Sequence, residues 1–129
     1  MTILSMSSQI ESGSPPVHGL FIDGAWVAGD GPRTTVRDKF KLTPYVTVTT
    51  ADAAQVKLAV DKAHMAFRGS NMVPYERGSV LEKAAVILEA RTADFVLAMQ
   101  SEAGFTESDA AGEVRRCIQT LKLSAEEAR

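Results

Sequence analysis

The spacing of apolar residues changes once along the chain. Up to Thr50 they come in short runs and alternations; from Ala51 onward they recur every three or four positions. The first regime predicts strands and the second helices. The apolar runs 20–22 and 25–27 flank Asp23-Gly24. An Asp-Gly pair in that setting predicts a hairpin, because a type I′ turn needs positive φ at both central residues. Gly29-Asp30-Gly31-Pro32 then breaks the pattern. Residues 35–42 form a third extended run, with Val36, Phe40 and Leu42 as its apolar members, and Pro44 interrupts it. Residues 45–50 alternate and are rich in β-branched side chains, which predicts a fourth strand. The expectation is a small antiparallel β-region of three to four short strands within about 20–50. It needs something packed on it to be stable.

The helical regime divides into four segments, expected at about 51–68, 74–91, 93–103 and 106–128. In the first, Val56, Ala59, Val60, Ala63 and Phe67 share a face, and Gln55, Lys57, Asp61 and Lys62 lie opposite. Thr50 is the expected N-cap, with Asp52 favourable in the first turn. Gly69-Ser70-Asn71 ends this helix. Pro74 suits the opening turn of the second, where its missing N–H is not needed. Leu81, Ala84, Ala85 and Leu88 form that helix's apolar face; Gly78 inside it should destabilise by up to about 1 kcal/mol relative to alanine. Thr92 is the expected cap of the third helix, Phe95, Val96 and Met99 its buried side, and Gly104 its C′ residue. Thr106 with Asp109 makes a capping-box pattern for the fourth, in which Ala110, Val114, Cys117, Ile118, Leu121 and Ala125 recur at helical spacing. Nothing stops that helix before Arg129, and Glu126 and Glu127 oppose its dipole. The chain therefore reads as truncated at 129. Ser, Gly and Pro dominate the start, so residues 1–17 read as a flexible leader without the features of a signal or transit peptide.

The 129-residue length suggests one domain, 18–129. Hydrophobic residues make up 45% and charged residues 23%, the usage of a soluble globular chain. Fourteen Lys and Arg against sixteen Asp and Glu leave a net charge of −2, too weak a field to predict nucleic acid or membrane as a partner. One cysteine permits no internal disulfide and fits a reducing, cytoplasmic setting.

The chemistry-bearing residues have ordinary readings. Cys117 lies on the apolar stripe of the fourth helix, where a free thiol is expected to pack as a small hydrophobe. His18 and His64 have no spaced partners for a metal, and His64 is expected to be a partly exposed packing residue. Gly29-x-Gly31 precedes an extended segment and lacks the remaining residues of a phosphate loop. Asp109 and Glu113 share a helix with Arg115 and Arg116 and are expected to form a solvated face. Arg115, Arg116 and Lys122 make no basic stripe.

The order of these pieces resembles the N-terminal part of the aldehyde dehydrogenase superfamily. Leu20-Phe-Ile-Asp-Gly-Ala-Trp-Val27 looks like the family's first hairpin. Val56, Ala59-Val60, Ala63 and Ala66-Phe67 are similar to its first helix. Glu76-Arg77, Leu81, Ala85 and Leu88-Glu89 are similar to its second. Glu102-Ala-Gly104 stands where the family commonly has Glu-Thr-Gly-Lys, followed by Asp109-Ala110 and Glu113-Val114. The final 123–128 resembles the helix before the family's crossover. Two departures are the missing Asn-Pro-x-x-Gly-Glu turn at 37–44 and Phe105 in place of lysine.

The resemblance implies an α/β fold of which this chain, mostly α-helical, is the N-terminal part of the cofactor-binding domain. It implies an enzyme that oxidises an aldehyde to a carboxylic acid through a Cys thioester, passing hydride to NAD or NADP, with a Glu base and an Asn in the oxyanion site. It also implies a dimeric or tetrameric homo-oligomer. No catalytic, cofactor-binding or metal residue is carried onto any position here. The family's nucleophile, Glu, Asn and glycine-bearing cofactor turn lie downstream of the matched segment, and Cys117 does not match the nucleophile's motif. The chain alone is expected to be inactive and to bind no NAD. The other reading is a free-standing helical protein-interaction module derived from this segment.

Overall fold

The computed structural model describes residues 15–129, in two compact units that divide after Gly69. The first 14 positions of the expected leader lie outside the described residues. The rest of that leader needs correction: Val17 belongs to a strand.

Among the described residues, the first unit holds five strands and one helix. They are β1 (Val17–His18), β2 (Leu20–Ile22), β3 (Ala25–Val27), β4 (Arg33–Arg37), β5 (Pro44–Thr49) and α1 (Ala53–Gly69). β2 and β3 pair antiparallel, with Phe21 opposite Trp26 and their rings 5.3 Å apart. Asp23 and Gly24 both have positive φ, 53° and 77°, as the Asp-Gly turn requires. The other sheet has the order β1-β5-β4. β4 and β5 are antiparallel, but β1 runs parallel to β5, with Val17 opposite Thr47. The region is therefore not purely antiparallel. A two-residue strand joined by long-range pairing leaves no periodic trace in the sequence.

The expected third strand, 35–42, also needs correction. β4 starts earlier and stops at Arg37, and residues 39–41 turn. The Asp38 carboxylate, nearly buried, accepts the N–H groups of Phe40 (2.9 Å) and Lys41 (2.7 Å). Asp38 and Leu42 are further tied by a backbone bond of 2.9 Å. Leu42 takes a left-handed φ of 59° to close this turn. A side-chain-to-backbone staple has replaced the ladder, the competition that makes Asp a turn former. Pro44 does not interrupt a strand; it opens β5, a position where its missing N–H is tolerated.

The cap of α1 is Asp52, not Thr50. The Asp52 Oδ1 accepts from the Gln55 N–H at 2.8 Å, and Gln55 Oε1 faces the Asp52 N–H at 3.3 Å. Thr50 is committed elsewhere: its hydroxyl and its N–H both donate to the Pro32 carbonyl. No residue of α1 is buried, and Phe67 is 79% exposed. The predicted stripe exists as a pattern on the helix and is not covered as a core.

The second unit is three helices: α2 (Pro74–Ala90), α3 (Thr92–Ala103) and α4 (Glu107–Glu127). Pro74 opens α2, and the Glu76 carboxylate accepts the Val73 N–H at 3.0 Å. Thr92 does not cap α3. Its hydroxyl instead donates to the Glu89 carbonyl at 2.8 Å, satisfying the end of α2. Arg91 occupies the junction and pairs with Asp94. Gly104 ends α3 at φ 77°, with its N–H on the Gln100 carbonyl. Thr106 caps α4, accepting from the Asp109 N–H at 3.2 Å. Thr106→Ala should therefore lower stability by about 1 kcal/mol, measured by urea unfolding, whereas Thr106→Ser should leave it nearly unchanged.

Ala85, Val114 and Ile118 form the core, with Leu88, Val96, Met99 and Leu121 packed against it. Gly78, Ala85, Ala110 and Ala125 are all buried, and such small side chains let helices approach closely. Phe95 departs from expectation: it is exposed, with the Arg91 guanidinium 5.7 Å from its ring centre.

Candidate functional site

The residues able to carry chemistry do not converge. Cys117 is exposed on α4, although the sequence pattern places it on the buried stripe. Helical residues are spaced about 100° apart. The buried line runs through Ala110, Val114, Ile118 and Ala125, and Cys117, seven residues from Ala110 and three from Val114, falls at its uncovered edge. The thiol should consequently react with an aromatic disulfide reagent as fast in the native chain as in denaturant. Cys117→Ser should change stability by less than about 0.5 kcal/mol. A native rate slowed a hundredfold would place the thiol in the core.

Beside it, Arg116 is ion-paired to Glu113. The hydrogen bond that Arg116 donates to the Glu113 carboxylate, and then that carboxylate's charge, hold the guanidinium above its ordinary range, so it stays a cation. Glu113 is thereby committed to Arg116, and Asp109 to Thr106 (2.8 Å). These carboxylates are not an acid–base pair aimed at a shared cleft. Lys122 faces Glu89 at 3.4 Å, which leaves no isolated basic stripe. His18 on β1 and His64 on α1 are both exposed. No group of three or more His, Cys, Asp or Glu among the described residues could hold a metal ion.

The glycine turn does not fit a nucleotide phosphate. The Gly29 N–H donates to Thr49 Oγ1 (2.9 Å), the Asp30 N–H to Gln55 Oε1 (2.8 Å) and the Gly31 N–H to the Thr50 carbonyl (2.9 Å). All three donors that would cradle an anion are taken by Thr49, Gln55 and Thr50. Gln55 closes the arrangement by donating to the Ala28 carbonyl at 2.9 Å. The glycines serve packing here: a Cβ on Gly29 would lie 2.3 Å from the Thr50 carbonyl oxygen.

Two shallow depressions lie among the described residues. One lies in the first unit between the β2–β3 turn and α1, beside the Lys62–Asp23 ion pair (2.8 Å). The other lies on α2 among Ser79, Glu82, Lys83, Val86 and Ile87. In the second, Ser79 makes no hydrogen bond to Glu82 or Lys83, and Glu82 is ion-paired to Arg129 (2.5 Å).

Residues 26–129 match the model of the aldehyde dehydrogenase family. This chain belongs to the aldehyde dehydrogenase family. It corresponds to the family's N-terminal portion. The chain is 34% identical over 112 residues to the 3-sulfolactaldehyde dehydrogenase of Priestia aryabhattai, a match covering 87% of this chain and 23% of that one. The N-succinylglutamate 5-semialdehyde dehydrogenase of Klebsiella pneumoniae is 35% identical over 106 residues, covering 81% of this chain and 22% of its own length. Among solved structures, aldehyde dehydrogenase 21 of Physcomitrella patens, in complex with the reaction product succinate, superposes with a TM-score of 0.82. It is 31% identical, and the match covers 88% of this chain and 24% of that one. The chain thus spans less than a quarter of the length of the relatives it matches. The family assignment rests on the match over 26–129 and on these relatives, and the α/β fold class follows from the same neighbours. The alternative of a free-standing interaction module finds no support in these relatives.

Proposed function

We propose that this chain supplies the N-terminal structural part of the cofactor-binding domain of an NAD(P)-dependent aldehyde dehydrogenase, an oxidoreductase converting an aldehyde to a carboxylic acid. By itself it neither binds NAD nor turns over aldehyde. The observation that carries the reading is the pairing of a close family fold with a lone, exposed thiol. The superposition with the Physcomitrella enzyme supports the first half. Cys117 exposed beside the Glu113–Arg116 ion pair, together with the saturated Gly29–Gly31 turn, supports the second. A thiol with no cofactor to take the hydride and no general base to activate water cannot complete the oxidation.

The working enzyme is a cytoplasmic homo-oligomer in this reading, a dimer or tetramer. It binds neither nucleic acid nor membrane. The weak net charge of this segment gives no field that would attract nucleic acid. No helix among the described residues is long and apolar enough to cross a membrane.

The test is calorimetric titration of NAD and NADP into the purified chain, beside a spectroscopic assay of NADH formation with short aliphatic and semialdehyde substrates. Far-UV circular dichroism on the same sample must show the four helices. The expected result is a folded chain with no saturable heat at micromolar cofactor and no NADH. Saturable binding at micromolar affinity, or turnover lost in Cys117→Ser, would overturn the reading.

A further inference from the structure

We draw no further inference here: the strongest candidate, the basic tip of the β4–β5 turn where Phe40 stands 95% exposed between Lys39 and Lys41, is an unpartnered apolar surface and nothing in the structure shows what covers it.

Discussion

An Ile118→Ala chain should unfold with about 2–4 kcal/mol less free energy than the parent. Ile118 is 8% exposed and lies on α4 in the cluster with Ala85 of α2 and Val114. Leu88, Val96, Met99 and Leu121 close around the cluster, so all three helices of the second unit contribute to it. Truncation removes three methyl or methylene groups from water-excluded space and leaves a cavity between helices. The small residues elsewhere on the α2–α4 contact, Ala85, Ala110 and Ala125, have no volume to fill it. The loss should appear as a lower urea midpoint of the helical circular dichroism signal at unchanged slope. Leu123→Ala on the same helix is the control. Leu123 is exposed, and its truncation should move stability by no more than about 0.5 kcal/mol. Equal effects at 118 and 123 would mean that α4 does not pack through this face.

Gly78→Ala and Gly112→Ala should move stability in opposite directions. Both glycines sit in helix interiors, Gly78 in α2 and Gly112 in α4. Helix propensity alone makes both replacements favourable by up to about 1 kcal/mol. At Gly112 a Cβ would meet nothing within 4 Å, so that gain should be realised. At Gly78 a Cβ would lie 2.7 Å from the Ala125 carbonyl oxygen. It would also lie 2.8 Å from Arg129 Cγ and 3.0 Å from Arg129 Nε. The Arg129 side chain can turn away, although this would disturb its ion pair with Glu82 (2.5 Å) and its position 5.4 Å from the centre of the Tyr75 ring. The carbonyl belongs to the backbone of α4 and yields only if the helix moves. Overpacking of this kind outweighs propensity, and a net loss of about 1–2 kcal/mol is expected. A stabilised Gly78→Ala chain would show that α2 and α4 are further apart than the structure places them.

The case of Gly78 shows the limit of a local reading. As a helix residue it is a penalty to be absorbed. In the folded unit it is the position that admits the Ala125 carbonyl, and the penalty is the condition for close packing. Cys117 shows the same limit from the other side. It repeats at helical spacing with true core residues, but the contact line is narrower than the apolar stripe, and the thiol falls outside it. Phe95 is a third instance, counted as buried by period and found exposed under Arg91. Several features closed by neighbours within a few residues follow the sequence pattern. The Asp23-Gly24 turn, Pro74 at the start of α2, Gly104 at the end of α3 and the Thr106 cap all stand where the residue types demanded. Two caps failed: Thr50 and Thr92 each found a carbonyl acceptor within reach, in Pro32 and Glu89. A hydroxyl donates as readily as it accepts, so residue type alone did not settle its partner.

For the candidate site, the sequence was informative mainly through the order of its motifs. Separate weak signals, placed co-linearly from Leu20 to Ala128, identified the family that the match over 26–129 bears out. No short range of residues could do this, because each motif alone is an ordinary amphipathic helix or turn.

What the sequence by itself determined is therefore the set of elements apart from β1, their order, most of their boundaries and the family. Those properties depend on hydrogen-bond closure and side-chain period within a few residues, which are local. The Asp38 staple that ends β4 early is local too, hidden by the extended pattern of 35–42. What only the tertiary structure decided is the parallel pairing of β1 with β5. It also decided the saturation of the Gly29–Gly31 donors and which side of each amphipathic helix is covered. Periodicity records which residues share a face. Whether a neighbour occupies that face, and how closely, depends on chain segments far away in sequence.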